Sequence, residues 1–472
     1  MSCLRSEGRG LVACLWGCLL VISCRQLFIY AAEARTYSVG PEQAFSRISD
    51  VPWEGLVSGD RVLIHWRREP YREKWVVCSR GTREQPIVVS GVPSESGELP
   101  VVDGRGALTR KELDFWNQNR GIIKIGGASH APGIHPAHIV IENLDVRSAR
   151  PAYSYPSSNQ EIPYRRDAAA IYIESGENIT IRNCHLSDSG NGLFVNGSGI
   201  LVEHCSIQGN GIEESGTEHN VYSAADGIVF QFNHFGNLRA ACLGNNLKDR
   251  SAGLVVRHNW FEGGSRQLDL VDAEDHEGRL VNRLGYRETF VYGNVIEEGA
   301  GDSRGEMIHY GGDSVNRHWY RRGVLHFYHN TVISHRIDLT TLFWISSNEE
   351  KVEVRNNIFY LADPRGRLAL SRDRGIFHLE NNWLSRGWVK TSRFLFLGEL
   401  VETRTVSGSA PGFVDEEASD YRIRPSFQSA RQSSPLRGAV AQRYPVLFTP
   451  LSKHEWAYGD GGAPVVIGAV FP

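Results

Sequence analysis

Short segments in which apolar and polar residues alternate recur along the middle of the chain. Each ends in an Asn or Cys, then one further residue, then an apolar residue. Alternation with a period of two predicts β-strands that turn one face towards a core. The eight copies are ITIRNCHL (179–186), ILVEHCSI (200–207), IVFQFNHF (228–235), LVVRHNWF (254–261), TFVYGNVI (289–296), LHFYHNTV (325–332), VEVRNNIF (352–359) and FHLENNWL (377–384).

The sixth position of these copies forms a column, whose members lie 21 to 36 residues apart: Cys184, Cys205, Asn233, Asn259, Asn294, Asn330, Asn357 and Asn382. This spacing predicts a coil of three short strands per turn, and hence an all-β, right-handed parallel β-helix. A β-propeller needs blades of ~40–50 residues and is excluded. We expect the Asn residues to stack as a ladder at one tight corner with a left-handed turn. The two Cys should be buried thiols one rung apart; a catalytic or bridged role is the alternative.

The repeat also predicts the domain organisation. One β-helix should occupy residues 35–400 and begin with a cap that contains a short helix within residues 41–63. Residues 401–472 lose the repeat and are rich in Gly, Pro and Ser, which predicts a C-terminal covering segment. The stretches 150–166 and 273–287 should be loops that leave the coil, and long loops in a solenoid often carry function.

The N-terminus has the layout of a secretory signal peptide. Arg5 and Arg9 precede a short apolar run at residues 11–23, which predicts export. Cleavage near Ala34 would remove residues 1–34. The alternative is a lipoprotein signal up to residue 23, with lipid attached at Cys24, or a retained anchor. The expected location is therefore secreted or periplasmic.

Composition narrows the range of possible functions. Lys and Arg total 51 against 54 Asp and Glu, a net charge of −3, so no basic field exists to hold nucleic acid. No second apolar run approaches the ~18 residues of a membrane span, so we expect no transmembrane domain. The chain has 11 Trp and 17 Tyr, which suit sugar stacking or core packing. We expect a monomer.

Three short blocks carry a resemblance to a known family. The blocks are EHNVY (218–222), NNLKDR (245–250) and RQLDLVD (266–272). They resemble the HNxY, LKSR and IDLP blocks of secreted right-handed parallel β-helix proteins of the polysaccharide-lyase-like kind, which include alginate lyases and chondroitinase B. The resemblance runs over roughly residues 37–440. It implies the same fold and an acidic, uronate-containing polysaccharide as substrate.

Eliminative cleavage of a uronate needs a cation for the carboxylate, a base for the C5 proton and an acid for the leaving oxygen. Suitable side chains lie one rung apart by the Asn count, so they should share one surface: His219, Asn220, Tyr222, Lys248 and Arg250. We predict Lys248 or Tyr222 as base and His219 or Tyr222 as acid. Arg250 should bind the carboxylate, and Asn220 should orient the substrate.

Further residues are predicted to bind substrate: Asn245, Arg266, His309 and Tyr310. The resemblance also implies that a Lys of one rung works with an Arg of the next. Lys248 matches the Lys, whereas the Arg position falls near Val271, so Arg250 or Arg266 would have to substitute.

The resemblance implies calcium as a cofactor, since related enzymes hold it with carboxylates. Asp269 and Asp272 are the predicted ligands, with Glu274 and Asp275 close by. The same carboxylates support a second hypothesis, a glycoside hydrolase that uses Asp269 with Asp272, or Asp249. An epimerase and a non-catalytic carbohydrate-binding surface protein are further alternatives.

Structural roles compete with each of these assignments. Lys248 could lie on a solvated corner, His219 could cap a turn, and Tyr222 could pack against neighbours. His309 and Tyr310 could serve core and corner packing, and Asp269 could be an outward carboxylate on the solvent face.

Overall fold

The computed structural model describes residues 33–301, 305–428, 432–459 and 466–470. Residues 1–32 of the predicted leader (residues 1–34), which include the alternative anchor at Cys24, lie outside these residues. Within the described residues, no helix has the length and apolar character needed to cross a membrane.

Strands make up most of the regular structure. In the first half of the chain they are β1 (Thr36–Val39), β2 (Arg61–His65), β3 (Trp75–Val77), β4 (Ile87–Val92), β5 (Val101–Asp103), β6 (Gly121–Ile125), β7 (Ala137–Glu142), β8 (Asp145–Arg147), β9 (Ser154–Ser157), β10 (Gln160–Pro163), β11 (Ala169–Ile173), β12 (Glu177–Arg182), β13 (His185–Ser187), β14 (Asn191–Glu203), β15 (Ser206–Ile207), β16 (Val221–Gln231), β17 (His234–Phe235), β18 (Leu247–Asp249), β19 (Ala252–Arg257) and β20 (Trp260–Glu262).

The remaining strands are β21 (Leu268–Leu270), β22 (Glu288–Tyr292), β23 (Val295–Glu298), β24 (Glu306–Tyr310), β25 (Val324–Tyr328), β26 (Thr331–Ser334), β27 (Leu339–Ile345), β28 (Lys351–Arg355), β29 (Ile358–Leu361), β30 (Arg367–Ser371), β31 (Ile376–Glu380), β32 (Trp383–Ser385), β33 (Val389–Thr391), β34 (Glu399–Thr403), β35 (Val406–Gly408), β36 (Phe413–Asp415), β37 (Asp420–Ile423), β38 (Phe448–Ser452) and β39 (Glu455–Tyr458).

Helices are few and short. The α-helices are α1 (Pro425–Gln428) and α2 (Gly438–Arg443). The 3₁₀ helices span Ile48–Asp50, Trp53–Gly55, Gln118–Arg120, Glu274–His276, Arg279–Asn282 and Arg317–Trp319.

The coil strands stack in three parallel sheets. Sheet I contains β1, β2, β4, β7, β12, the second halves of β14 and β16, then β19, β22, β25, β28, β31 and β34. Sheet II contains β3, β6, β11, the first halves of β14 and β16, then β18, β21, β24, β27, β30 and β33. Sheet III contains β5, β8, β13, β15, β17, β20, β23, β26, β29, β32 and β35. The chain passes from sheet II to I to III in each turn, so the predicted parallel β-helix is confirmed.

The core lies inside the coil and follows from the alternation. In sheet II, for example, Leu268 and Leu270 are fully buried and belong to the central core cluster, whereas Asp269 between them points to the other face. Because neighbouring parallel strands lie ~4.8 Å apart, each inward side chain rests on its counterparts in the rungs before and after it.

The predicted ladder occupies the corner between sheets I and III. The Oδ1 atom of Asn294 accepts from the backbone N–H and the side-chain amide of Asn259, at 2.9 and 3.0 Å. The Nδ2 atom of Asn294 donates to the carbonyl of Val256 and to Oδ1 of Asn330, both at 3.0 Å. The same contacts connect Asn233, Asn357 and Asn382, all fully buried. Each amide therefore satisfies backbone groups that the turn leaves without a strand partner.

The left-handed residue of this corner directly precedes each ladder position. It is His204, Phe232, His258, Gly293, His329, Asn356 and Asn381 in successive rungs, all with positive φ. Gly, Asn and His tolerate this conformation better than most residues. The ladder and the strained residue therefore recur together, as the sequence pattern predicted.

Cys184 and Cys205 continue the column at its N-terminal end. Both are buried and free, and the flanking residues His185 and Ser206 are in register. The backbone N–H of Cys205 donates to Oδ1 of Asn233 at 2.9 Å. The prediction of stacked, buried thiols is confirmed.

Segments outside the coil cover parts of it. The stretch expected to contain a capping helix holds two 3₁₀ helices, and 150–166 holds the β9–β10 hairpin. Strands β34 and β35 extend sheets I and III past residue 400. Beyond them, C-terminal residues contact the ladder corner: the Asn356 amide donates to the Ser434 carbonyl at 2.8 Å.

We predict that Asn294→Ala destabilises the coil strongly. The substitution leaves the backbone N–H of Asn259 without its acceptor, and an unsatisfied buried group costs ~1–3 kcal/mol. Because several bonds are lost together, we expect a loss of roughly 3 kcal/mol in the free energy of unfolding, measured by denaturant titration. Asn282→Ala, at an exposed position outside the ladder, is the control and should change it by less than ~0.5 kcal/mol. Equal effects of both substitutions would contradict the role of the ladder.

Candidate active site on the outer face of sheet II

One register line of sheet II carries chemically active side chains on its outer face. We call it the outer row: Lys124, Tyr172, Phe194, Tyr222, Lys248, Asp269, His309 and Trp344. Successive members are direct cross-strand neighbours. The residues beside them along each strand, such as Leu247 and Ile308, lie in the core. Alternation thus places every row member on the outside of the coil.

Aromatic rings fill the first part of the outer row. The Tyr172 and Phe194 rings meet edge to face at 5.6 Å, and the Phe194 and Tyr222 rings stack at 4.8 Å. The guanidinium of Arg120 lies over Tyr172 and Phe194, at 4.6 and 4.7 Å from the ring centroids. This part offers apolar and cationic surface next to the charged residues that follow.

Lys248 lies between two carboxylates. Its Nζ donates to Oδ2 of Asp269 at 2.7 Å and also to Oδ2 of Asp313. Asp269 additionally receives bonds from Nδ1 of His309 at 2.7 Å and the Asn245 amide at 3.0 Å. Burial raises the pKa of Asp269, but Lys248 and His309 lower it more, so its pKa lies well below the usual range. Asp269 is therefore a fixed, ionised partner of Lys248.

Arg250 is the second cation of the site. Its guanidinium donates at 2.9 Å to Asp272 and to Oδ1 of Asp313, and it lies 3.1 Å from Glu274. Burial opposes its charge, but Tyr222, Asp313 and Asp275 raise its pKa above the usual value. Lys248 and Arg250 together thus hold the single carboxylate of Asp313, whose side chain is 29% exposed.

Tyr222 lies between the aromatic part of the outer row and the charged residues that follow it. Its hydroxyl accepts from Nε of Arg250 at 2.9 Å and donates to Asp275 at 2.9 Å. Burial is the main cause that raises the pKa of Tyr222 above its usual value. Its hydroxyl is therefore protonated at neutral pH and can supply a proton.

His219 lies beside Tyr222 but is almost completely buried. Its Nδ1 accepts from the backbone N–H of Asn245 at 2.9 Å, so the neutral ring carries its proton on Nε2. Burial, and secondarily Lys248, lowers the pKa of His219 to about 3. Its ring is neutral at neutral pH and can donate from Nε2 but cannot use Nδ1 as a base.

A buried ion pair anchors the segment that carries Asp313. Arg321 and Asp249 are both fully buried, 3.0 Å apart, and Asp249 also accepts from Ser223 at 2.6 Å. Arg321 also donates to the Ser251 carbonyl at 2.9 Å. This pair fixes one end of the 311–321 segment to β18, directly beneath Lys248.

The structure brings most predicted site residues together, with two corrections. Asn220 is fully buried, and both N–H groups of its amide bond within the protein, to Gly236 and Asn246, so it does not face a substrate. Tyr310 is a core residue on the inner face, although its neighbour His309 belongs to the outer row. Asn245 is buried and holds His219 and Asp269 in place.

The two predicted substitutes for the missing Arg lie in different places. Val271 is fully buried, and the residue in register with Lys248 on the next rung is Asp269. Arg250 completes the pair from the same rung as Lys248. Arg266 lies elsewhere, next to Glu306 and the ring of Trp344.

The carboxylates that could hold a metal differ from those expected. Among the described residues, Asp272, Glu274 and Asp313 have ligand atoms within 4.8 Å of one another, and Asp269 is not part of the group. Arg250 bonds or pairs with all three. The Arg250 guanidinium therefore supplies the positive charge that a metal ion would supply in this cluster.

Sequence reasoning missed Asp313 and Trp344. Asp313 follows β24 in a Gly-Gly-Asp turn, four residues after His309. On three successive rungs a charged residue follows the outer-row residue by two to four positions: Arg250, Asp272 and Asp313. This recurrence is the signal that could have identified Asp313.

The comparisons with known proteins agree with the architecture. Residues 101–313 match the family described as a right-handed β-helix region. Together with the three parallel sheets, this defines a right-handed parallel β-helix protein. No curated protein matches the chain in sequence.

Several solved structures share the fold at low identity. A GH136 lacto-N-biosidase from Eubacterium ramulus is 11% identical, with 80% of this chain and 68% of that chain covered and a TM-score of 0.48. An alginate lyase from Paenibacillus sp. is 11% identical, covering 79% and 99%, with a TM-score of 0.44. A PL6 family polysaccharide lyase from Pseudopedobacter saltans is 11% identical, covering 81% and 94%, with a TM-score of 0.41.

We predict that Lys248→Met destabilises the protein by ~3–5 kcal/mol at pH 7, because it leaves the buried charge of Asp269 without its cation. A carboxylate with a depressed folded pKa stabilises the fold above its unfolded pKa of ~3.9 and loses this effect as the pH falls through the folded value. The variant lacks that contribution, so the difference from wild type should shrink as the pH falls below ~4.

Denaturant titrations at several pH values between neutral and acidic measure this difference. Lys351→Met, at an exposed position of sheet I, is the control and should cost less than ~0.5 kcal/mol at every pH. A penalty for Lys248→Met that grows towards acid pH would contradict the assigned ion pair.

Proposed function

We propose that this protein is an exported polysaccharide lyase that cleaves an anionic, uronate-containing polysaccharide by β-elimination. The observation that carries the proposal is the position of Asp313. Lys248 and Arg250 bind its partly exposed carboxylate from two sides, directly beside the protonated hydroxyl of Tyr222. A uronate carboxylate that replaces Asp313 would bind at the same place, where Arg250 neutralises its charge.

The proton transfers fall to two adjacent residues of the outer row. Lys248, in its neutral form, removes the C5 proton of the bound uronate. The electron pair forms the C4–C5 double bond while the C4–oxygen bond breaks, and Tyr222 protonates the leaving oxygen. Arg250 stabilises the carboxylate through its planar fork, which binds two oxygens and stays charged.

The remaining neighbours support these groups. Asp269 holds Lys248 in position, while Nε2 of His219 is a donor beside the Tyr222 ring. The aromatic part of the outer row continues the site for several rungs, which suits a chain substrate that lies along the coil. The N-terminal residues 1–34, read as an export signal, place the enzyme where such polysaccharides occur.

A glycoside hydrolase is the second candidate, and one observation favours it. Five carboxylates surround the two cations: Asp269, Asp272, Glu274, Asp275 and Asp313. Two carboxylates are what a hydrolase needs. Asp269 with Asp313 suits this role better than Asp269 with Asp272, since Asp272 is fully buried and bonded to Arg250 and Ser314.

The acid that a hydrolase needs has less support. Burial raises the pKa of both Asp269 and Asp313, but Lys248 lowers both pKa values further, to below their usual range. A general acid requires the opposite shift. The lyase is therefore the preferred function.

We expect the purified protein to release products that absorb in the ultraviolet from at least one acidic polysaccharide, because only elimination creates the unsaturated uronate. Tyr222→Phe should lower the rate by at least ~100-fold, the usual scale for an acid–base group. Lys248→Arg should do the same while it keeps the ion pair with Asp269. Tyr328→Phe removes a buried hydroxyl in sheet I, bonded to Tyr444, and should retain the wild-type rate.

Other products would decide between the alternatives. New reducing ends without ultraviolet absorbance would establish the hydrolase. Retention of the wild-type rate by both Tyr222→Phe and Lys248→Arg would place the catalytic groups elsewhere.

We further expect Asp313→Asn to lower KM for the acidic polysaccharide by about tenfold, since the variant lacks the carboxylate that competes for Lys248 and Arg250. The value of kcat should not fall. Asp338→Asn, which alters a surface pair with Arg336, is the control and should leave both constants unchanged. If Asp313 is instead a catalytic carboxylate of a hydrolase, the substitution should reduce kcat by at least ~100-fold.

A further inference from the structure

A second cationic cluster lies at the C-terminal end of the outer row. Arg266 and Arg372 each approach Glu306 at 3.4 Å, from opposite sides of its carboxylate. Their guanidinium carbons lie 4.9 and 4.7 Å from the ring centroid of Trp344. Trp344 in turn stacks on His309 at 3.9 Å.

This cluster has an excess of positive charge. In the part of the chain that the structure describes, two guanidinium groups face one carboxylate, whereas around Lys248 and Arg250 the carboxylates outnumber the cations. Among the described residues, Nε of Arg266 is buried and has no hydrogen-bond partner. The side chains of Arg266 and Arg372 are 16% and 30% exposed, so each remains accessible in part.

The geometry favours a planar anion. Each Arg carries five N–H donors in a fixed fork, and within the described residues each makes one contact, of 3.4 Å, to Glu306. Within that part of the chain, most of these donors remain available to bind a carboxylate in two places. Cation–π contacts with Trp344 keep both guanidinium groups oriented without consuming their N–H donors.

We propose that Arg266 and Arg372, oriented by Trp344, form a second carboxylate-binding subsite for another uronate of the same polysaccharide chain. This inference rests on the proposed function, and it extends the earlier expectation for Arg266 to a complete subsite. Three rungs separate Lys248 from Trp344 along the outer row, ~14 Å at the strand spacing. A bound chain would therefore place acidic sugars at both cationic clusters, and an isolated disaccharide held at Lys248 would not reach the second.

The test uses the protein with Arg372→Gln and uronate oligomers of increasing length. The variant should raise KM for long oligomers by about tenfold or more, with kcat unchanged within about twofold. It should not affect the shortest oligomers that are cleaved. The control is Arg365→Gln, which alters an exposed pair with Asp363 and should behave as wild type.

Direct binding separates this inference from the proposed lyase activity. Calorimetric titration of the Tyr222→Phe protein with long uronate oligomers should show binding that weakens about tenfold when Arg372→Gln is added. If wild type cleaves uronate oligomers but Arg372→Gln leaves KM and binding unchanged, the subsite is wrong and the lyase stands. If no unsaturated product forms but this binding loss is observed, the lyase is wrong and the subsite stands. Weakening that is equal for neutral and acidic oligomers would also overturn a carboxylate subsite.

Discussion

The hydrogen bond from one corner Asn to the next is the interaction on which the rest of the molecule depends. Each ladder amide binds backbone groups and an amide of the neighbouring rung, so every turn starts at the same place. Since side chains alternate strictly along a strand, a shift of one residue would send the whole outer row into the core. The ladder therefore fixes which residues face outwards.

Because the register is constant, residues that are distant in the sequence lie together on one surface of the coil. Lys248 lies 21 residues before Asp269 and 65 residues before Asp313, yet its Nζ contacts both. Insertions between rungs lengthen the turns without changing the strand pairing, so the loops that hold Asp275 and Asp313 extend over the row while the row stays aligned. The strands thus hold their side chains in fixed positions, and the loops carry side chains that can be displaced.

The two kinds of carboxylate serve different purposes. Asp269 and Asp272 lie on or directly after a strand and are buried, so they hold Lys248 and Arg250 permanently. Asp313, Glu274 and Asp275 lie on loops and are partly exposed. Two buried cations need compensation when no substrate is bound. Loop carboxylates provide it and leave the same positions open to an anionic substrate, which connects the fold's electrostatics with the proposed chemistry.

The sequence by itself determined the coil, because the alternation and the recurring Asn are local and repeat in every rung. It also placed Tyr222 beside Lys248, since counting from the ladder yields the register. It did not determine that Asn220 and Tyr310 face inwards, because neither residue belongs to the repeated segments whose alternation indicates the inward face. Nor did it reveal Asp313, Trp344 or the Arg pair around Glu306. Which charge neutralises which depends on how loops of unequal length fold back over the row, and only the tertiary structure decides that.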